Sequence, residues 1–444
     1  MSSMITAEPI INVGVVEGYT EIHGMFNGEF SIPGGSPIAG LFSIRPKGDV
    51  LVLENGTGDE VARGSEIRCL GEKGTTFLLR DVTIGVKFHW ERKENQTFEG
   101  DVKFVLRKNG TVTAINVIPL EAYLRSVISS EMSAEAPLQF LRAHAITSRS
   151  WLAAMLDRTV LKVPKPPGGT EAGGEIVRWY TREDHDLYDV CADDHCQRYQ
   201  GITKILSAVA IEAVASTHGS FLVHDGTICD ARFYKACGGL TEEFQNAWED
   251  VKVPYLTSIA DAPVNHPSVQ NERDAEHWIR SKPEAYCNTT DPNILRQILP
   301  SFDLETTDFF RWQVEYSRKD LEKIIHEKSG IDFGTLMDLE PLVRGPSGRM
   351  VKLKVVGTRR TLVVGKDLEI RRWLSPSHLY SSAFVVDTQR DAGGIPLRFV
   401  LRGAGWGHGV GLCQIGAAVM AIRGFGADQI VRHYFRGAEV KKLY

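Results

Sequence analysis

Residues 118 to 152 place two charges where a helical pattern calls for apolar side chains, and this stretch constrains the chain more than any other. From Pro119, a residue suited to a helix start, Leu120, Leu124, Val127 and Ile128 recur at helical spacing, and Glu131 falls on the same stripe. Pro137 predicts a second helix, with Leu138, Leu141, Ala145 and Leu152 on its apolar face and Ser148 and Arg149 among them. A buried carboxylate is costly unless it is paired, protonated or open to a cleft. Arg149 is the nearest partner by sequence. Two readings follow for Glu131: an ion pair that orients two helices, or a general acid in a cleft.

The surrounding pattern predicts an α+β fold. From Ile10 to about Gly110, short apolar runs alternate with turn residues, and Asn109-Gly110 between Phe104-Val105-Leu106 and Val112-Thr113-Ala114-Ile115 predicts a hairpin. After the two helices come a Pro/Gly-rich loop at Pro164–Gly174 and a third helix near Ile202–Thr217. Phe221-Leu222-Val223 and Ile228–Tyr234 predict a second hairpin, and residues 265 to 300 read as polar and irregular. Ser317-Arg318-Lys319-Asp320 resembles a capping box for a helix that Gly330 closes, and strands return at Val351–Val355 and Thr361–Gly365. The expected architecture is a β-rich core with a few helices forming a substrate cleft, plus a smaller β-rich inserted or accessory region. The expected divisions are 10–265 and 396–444 as two parts of one core, with 266–395 as the accessory α+β region.

At 444 residues the chain exceeds the usual limit of a single core. A net charge of -5 argues against nucleic acid as a partner, and no apolar run is long enough for a transmembrane helix. Residues 1 to 9 lack the basic and then apolar pattern of a secretory signal, which by itself reads as cytoplasmic. Seven cysteines, an odd number spread over a long chain, read as thiols or metal ligands rather than as a disulfide framework.

Three constellations carry possible chemistry. His185, Cys191, His195 and Cys196 are closely spaced, Cys237 can approach from the following hairpin, and four such donors suit tetrahedral zinc; the alternative is buried thiols beside surface histidines. The string Gly403 to Ala417 sets six glycines around Trp406 and His408 ahead of a predicted helix. Its spacing rejects both the dinucleotide and the phosphate-loop signatures, so no organic cofactor is expected, and the glycines instead indicate backbone pressed close to a ligand or a strand. Cys413 is either a nucleophile with His408 as base or a small buried hydrophobe.

Taken in order, Leu120-Glu121-Ala122-Tyr123-Leu124 to Glu131-Met132, the Ala143/Ala145 to Arg149 helix, Asp193-Asp194 to Gln197-x-Tyr199-x-Gly201, Gly238-Gly239-x-Thr241-Glu242, Trp248, Ser347-Gly348-Arg349 and Gly405-Trp406-Gly407-His408-Gly409-Val410-Gly411 to Gln414-x-Gly416-Ala417 resemble the SpoIID/LytB family. The resemblance implies a protein of peptidoglycan glycan strands: a lytic transglycosylase acting on strands stripped of stem peptides, or an enhancer of a separate cell-wall amidase. It places Glu131 at the catalytic acid and Arg149 at a positioning arginine. It also implies zinc at His185, Cys191 and Cys196, structural if four protein ligands close the site. The chain departs from the family at His144, Thr147 and Ser148, at Trp151 in place of Tyr, and at Cys413 in place of Ser. An extracytoplasmic substrate also sits against the cytoplasmic reading of the amino terminus, and the sequence does not decide between them.

The leading expectation from this resemblance is strand cleavage. Glu131 protonates the leaving glycosidic oxygen and then, as carboxylate, accepts a proton from the attacking 6-hydroxyl of N-acetylmuramic acid, giving a 1,6-anhydro end. Hydrolysis would need a second carboxylate across the bond, and Glu121 and Glu135 lie off the Glu131 stripe. Tyr234, Trp248 and Trp406 are candidates for stacking on sugars, and Lys235, His408 and Gln414 for polar contacts. The alternative is a non-catalytic peptidoglycan-binding amidase enhancer, and a third reading is zinc amidase chemistry at the His/Cys cluster.

Overall fold

The structure, a computed structural model, describes residues 5–85, 91–156, 169–180, 185–193, 195–204, 207–300, 303–304 and 306–444. Among them an eleven-stranded sheet forms the large β core, and smaller sheets and scattered helices complete an α+β architecture. The strand Ile10–Tyr19 pairs antiparallel with Val112–Pro119, which pairs in turn with Asp101–Leu106. The last two strands are the predicted hairpin, closed by Gly110 at φ 75° with its N–H donated to the Arg107 carbonyl.

Val112–Pro119 runs straight into α1 (Leu120–Glu131), whose buried face carries Leu120, Leu124, Val127, Ile128 and Glu131 as the periodicity predicts. No side chain of its own caps α1; instead the Glu8 carboxylate accepts the Glu121 N–H at 2.8 Å and the Pro9 carbonyl accepts that of Leu120. α2 (Leu138–Leu156) differs from expectation. From Ala143 to Ala154 every residue is buried, because α1, α3 (Ala208–Ser216), the strand Ser220–His224 and the helices Gln414–Ile422 and Ala427–Tyr434 surround it. A helix enclosed on all sides needs no polar face.

Other boundaries shift for local reasons. The third helix begins at Ala208 rather than Ile202, since Ser207 caps it and Gly201–Lys204 forms a separate 3-10 turn. The second hairpin pairs only Val223 with Ile228 and His224 with Thr227; Phe233–Tyr234 leaves it to pair in parallel with Leu412–Cys413. Residues 265 to 300 are not irregular throughout, for they hold the helices Glu272–Arg280 and Pro292–Ile298, capped by Asn271 and Asp291. Of the loop expected at Pro164–Gly174, residues 164–168 lie outside the described residues, and the remainder enters the hairpin Thr170–Ala172 with Glu175–Val177. The capping box at Ser317 opens the helix Arg318–Ser329, and Gly330 closes it at φ 73°.

The smaller β-rich region has its own core, in which Trp312, Leu321, Leu353, Trp373, Phe384 and Leu401 pack together with Ile176. Residues between the two, including Ile298, Phe309 and Phe310, belong to the larger core instead.

Candidate functional site

Glu131 sits at the last turn of α1 with 9% of its surface exposed. Its Oε1 accepts the Arg198 N–H at 2.9 Å, and its backbone carbonyl accepts from Lys235 Nζ at 3.3 Å. The ammonium of Lys235 is also 2.7 Å from Asp303 Oδ2. Sequence reasoning gave no sign of Asp303, which stands in a loop without periodic pattern.

Arg149 is not the partner of Glu131. Its guanidinium is wholly buried and forms a bidentate pair with Glu121, at 2.9 and 2.6 Å, and donates to the Ser220 carbonyl at 3.0 Å. Glu121, which appeared to point away from the stripe, also accepts from Tyr444 Oη and the Gly219 N–H. Burial raises the pKa of Glu121, but the Arg149 hydrogen bond and charge outweigh it, and the net shift is downward.

His185, Cys191, His195 and Cys196 converge, with one donor atom from each lying within 4.8 Å of the others. His195, not Cys237, completes the set. The edge of the large sheet positions it: Val190–Cys191 adds in parallel to Ile10–Tyr19, pairing Cys191 with Gly14, and the Ala192 N–H reaches the Gly14 carbonyl at 3.0 Å. Cys196 Sγ is 3.4 Å from His185 Nε2 and 3.5 Å from His195 Nδ1. The Cys191 thiol is drawn down to about 2, first by the hydrogen bond with Cys196 and against the desolvation around it, with His185 and His195 adding to the effect. Two thiols and two imidazoles, with one thiol readily ionised, fit tetrahedral zinc with no position left for water. Arg198, whose N–H holds Glu131, follows Cys196 by two residues, so the cluster and the carboxylate share one short segment. Asp194 lies outside the described residues.

The glycine-rich string lies beside Glu131 through Tyr234–Ala236. The Ala236 and Trp406 backbones exchange hydrogen bonds, at 3.0 and 2.7 Å. The glycines are pressed against protein. A Cβ on Gly409 would stand 2.4 Å from Arg349 Cζ, and one on Gly411 2.2 Å from the Arg232 carbonyl, with both residues at positive φ. Arg349 is buried and donates to the carbonyls of Gly407 and Cys237, so the Ser347-Gly348-Arg349 motif braces the string from behind.

Its aromatic residues pack in two groups, one around Trp406 and one around His408. Trp406 packs on Tyr380 and Phe309, with centroids 4.1 and 4.9 Å apart, while His408 lies 4.8 Å from Trp248 and 5.2 Å from Tyr234. The Arg232 guanidinium covers Trp248 at 4.2 Å. Burial, then the charges of Arg232, Arg371 and Arg349, hold His408 well below its ordinary pKa, so it is neutral, and its Nδ1 accepts the Val410 N–H. Trp248, Trp406 and His408 are half-buried, Tyr234 is buried, and Gln414 is 2% exposed with its amide 3.3 Å from His144 Nε2. Gln414 is therefore a packing residue at the start of its helix. Cys413, within the string, is 0% exposed, which does not suit a nucleophile.

Residues 108–224 match the family described as Stage II sporulation protein (SpoIID), and residues 242–411 match a domain of unknown function, DUF8618. The chain is similar to Stage II sporulation protein D of Bacillus amyloliquefaciens, at 23% identity over 74% of this chain and 76% of the relative. It is similar to that of Bacillus subtilis (strain 168) at 23% over the same shares. An uncharacterized protein of Brachyspira hyodysenteriae is 25% identical over 88% of this chain and 82% of its own length. The sequence thus matches SpoIID proteins at modest identity, as its motifs led one to expect, and no described helix is long and apolar enough to cross a membrane. The matched segment contains Glu131, Arg149 and the whole His/Cys cluster, whereas Trp248, Trp406 and His408 fall in the segment of unknown function.

Proposed function

We propose that this chain binds peptidoglycan glycan strands and assists a separate cell-wall amidase, with the half-buried Trp248, Trp406 and His408 and the neighbouring Lys235 at the strand-binding face. The observation that carries this reading over cleavage is the burial of Glu131. A general acid must come within hydrogen-bond reach of the glycosidic oxygen, whereas Glu131 is 9% exposed. Similarity to SpoIID proteins supports the glycan strand as ligand. The His/Cys cluster, closed by four protein donors, suits a structural zinc that fixes the Arg198 segment, and this ranks zinc amidase chemistry last.

A second reading, lytic transglycosylation by Glu131, is favoured by one specific arrangement. Glu121 is consumed by Arg149, Glu135 is exposed beyond α1, and Asp303 is neutralised by Lys235, so of these four acids Glu131 is the one left to exchange a proton. One acid suffices when the nucleophile is the sugar's own 6-hydroxyl. Product analysis on intact and denuded peptidoglycan separates the two. The proposal expects strand binding, no 1,6-anhydro ends, and more stem-peptide release only when an amidase is added. Anhydro ends made by the wild type and lost in Glu131→Gln would replace it with the second reading, and absence of strand binding would overturn both.

A further inference from the structure

We infer that Cys237, Asp261, Cys287 and Cys413 form a second, fully buried metal site for a thiophilic divalent cation, zinc by its donor set, tying the 242–411 segment to the stretches that flank it on either side. The four donors come from widely separated parts of the chain. Cys237 follows Phe233–Tyr234, Asp261 and Cys287 belong to the 242–411 segment, and Cys413 lies beyond it on the paired strand. Yet one donor atom from each lies within 4.8 Å of all the others.

The spacing suits one ion. Zinc–sulfur bonds of about 2.3 Å put tetrahedral sulfurs roughly 3.8 Å apart, with sulfur-to-oxygen edges somewhat shorter. Cys237 Sγ is 3.4 Å from Cys287 Sγ and 3.3 Å from Asp261 Oδ2. A disulfide would require about 2.05 Å and would leave the third thiol and the carboxylate without a role.

The surroundings are those of a thiolate site. Backbone N–H groups point at sulfur: Gly239 to Cys237 at 3.2 Å, and Cys237 and Gly416 to Cys413 at 3.3 and 3.4 Å. Tyr434 Oη holds Asp261 Oδ1 at 2.6 Å, which turns Oδ2 to the sulfurs, the kind of outer contact that fixes a ligating carboxylate. Gly416 is required here, since a Cβ would meet Asp261 Oδ1 at 2.4 Å. Asp261 is 0% exposed, and its Oδ2 also accepts the Cys287 N–H at 3.0 Å. A carboxyl this buried is either protonated or matched by a cation, and the three thiols around it supply the remaining donors for a cation. The Tyr234 hydroxyl is also buried and has no hydrogen-bond partner among the described residues. With four protein donors the site is closed, and the ion's role is to hold the 242–411 segment to the stretches around Cys237 and Cys413.

The test is metal content and coordination of the full chain purified under reducing conditions. Two zinc ions per chain are expected, with X-ray absorption giving a mean of about 2.5 sulfurs per zinc, from two in the His/Cys set and three here. Cys191→Ser/Cys196→Ser should keep one zinc whose sulfur count rises to three, and Cys287→Ser with Asp261→Asn should keep one bound by two. If the second variant does not fold, the wild-type stoichiometry and the first variant still decide. One zinc in the wild type that vanishes entirely in Cys191→Ser/Cys196→Ser would overturn the inference, as would a Cys237–Cys287 disulfide in the mass spectrum of the native protein.

Discussion

The two ends of α1 carry glutamates in opposite situations. Glu121, in the first turn, meets a buried guanidinium in bidentate geometry and adds Tyr444 and the Gly219 N–H. Its lone pairs are spent, and it ties α1 to α2, to Ser220–His224 and to the last residue of the chain. Glu131, in the last turn, takes a backbone N–H from a segment built around four candidate metal ligands, with the Lys235 ammonium beside its carbonyl. One acid is fixed by a side chain of the neighbouring helix, the other by the backbone of a segment that also carries the candidate metal ligands.

The largest expected effect comes from breaking the first. Arg149→Met retains much of the side-chain volume but leaves Glu121 buried without its cation, so urea unfolding should show a loss of about 3–5 kcal/mol. A loss below about 1 kcal/mol would show that Tyr444 and Gly219 alone satisfy Glu121. The pairing also sets an acid limb. Because the folded pKa of Glu121 is depressed, its contribution is present above the unfolded value of 4.5 and is lost as pH falls below it. His144 acts in the same direction over a higher window. Burial, with the charge of Lys235, lowers it from 6.5 to about 3, so the unfolded chain binds the extra proton first and stability falls as pH drops from 6.5 toward 3. His144→Gln should flatten the stability profile between those values, while Arg149→Met should flatten it only below 4.5.

Metal removal sharpens the contrast by a smaller amount. Stripping the full chain with a chelator should speed hydrogen exchange at the Arg198 amide, the donor to Glu131, by about tenfold, the factor that ~1.4 kcal/mol of local stability produces. The Gly219 amide, donor to Glu121, should change far less. Equal acceleration at both amides would mean that the two ends of α1 share one support.

The difference between these two acids also marks how far the sequence could be read. The α1 stripe, the Asn109-Gly110 hairpin and the Ser317 capping box were legible because each rests on local chemistry: periodicity, a positive φ, a side chain returning to its own backbone. The His/Cys cluster was legible for the same reason, since four donors lie within a dozen residues. The Arg149 pairing was not, because helical spacing assigns a residue to a face and says nothing of which neighbour that face meets; the partner was Glu121, three turns from Glu131. Burial of α2 on all sides, the Lys235–Asp303 pair and the approach of Cys413 to Cys287 all come from tertiary contacts. The glycines of the 403–417 string were visible as close-approach signals, but whether a ligand or Arg349 filled the space became clear only from the structure.

Glu131→Gln is the smallest perturbation and the most discriminating. The amide oxygen can still accept the Arg198 N–H, Lys235 still bonds the backbone carbonyl, and the side-chain volume is unchanged, so stability should move by less than about 1 kcal/mol. Where Arg149→Met tests what Glu121 contributes to the fold, this substitution removes the charge of Glu131 and its capacity to exchange a proton. On the binding proposal, strand affinity measured by co-sedimentation with denuded glycan should stay within about twofold of wild type, a difference of roughly 0.4 kcal/mol. A destabilisation as large as that of Arg149→Met would instead make Glu131 a second structural acid, and the contrast between the two ends of α1 would disappear.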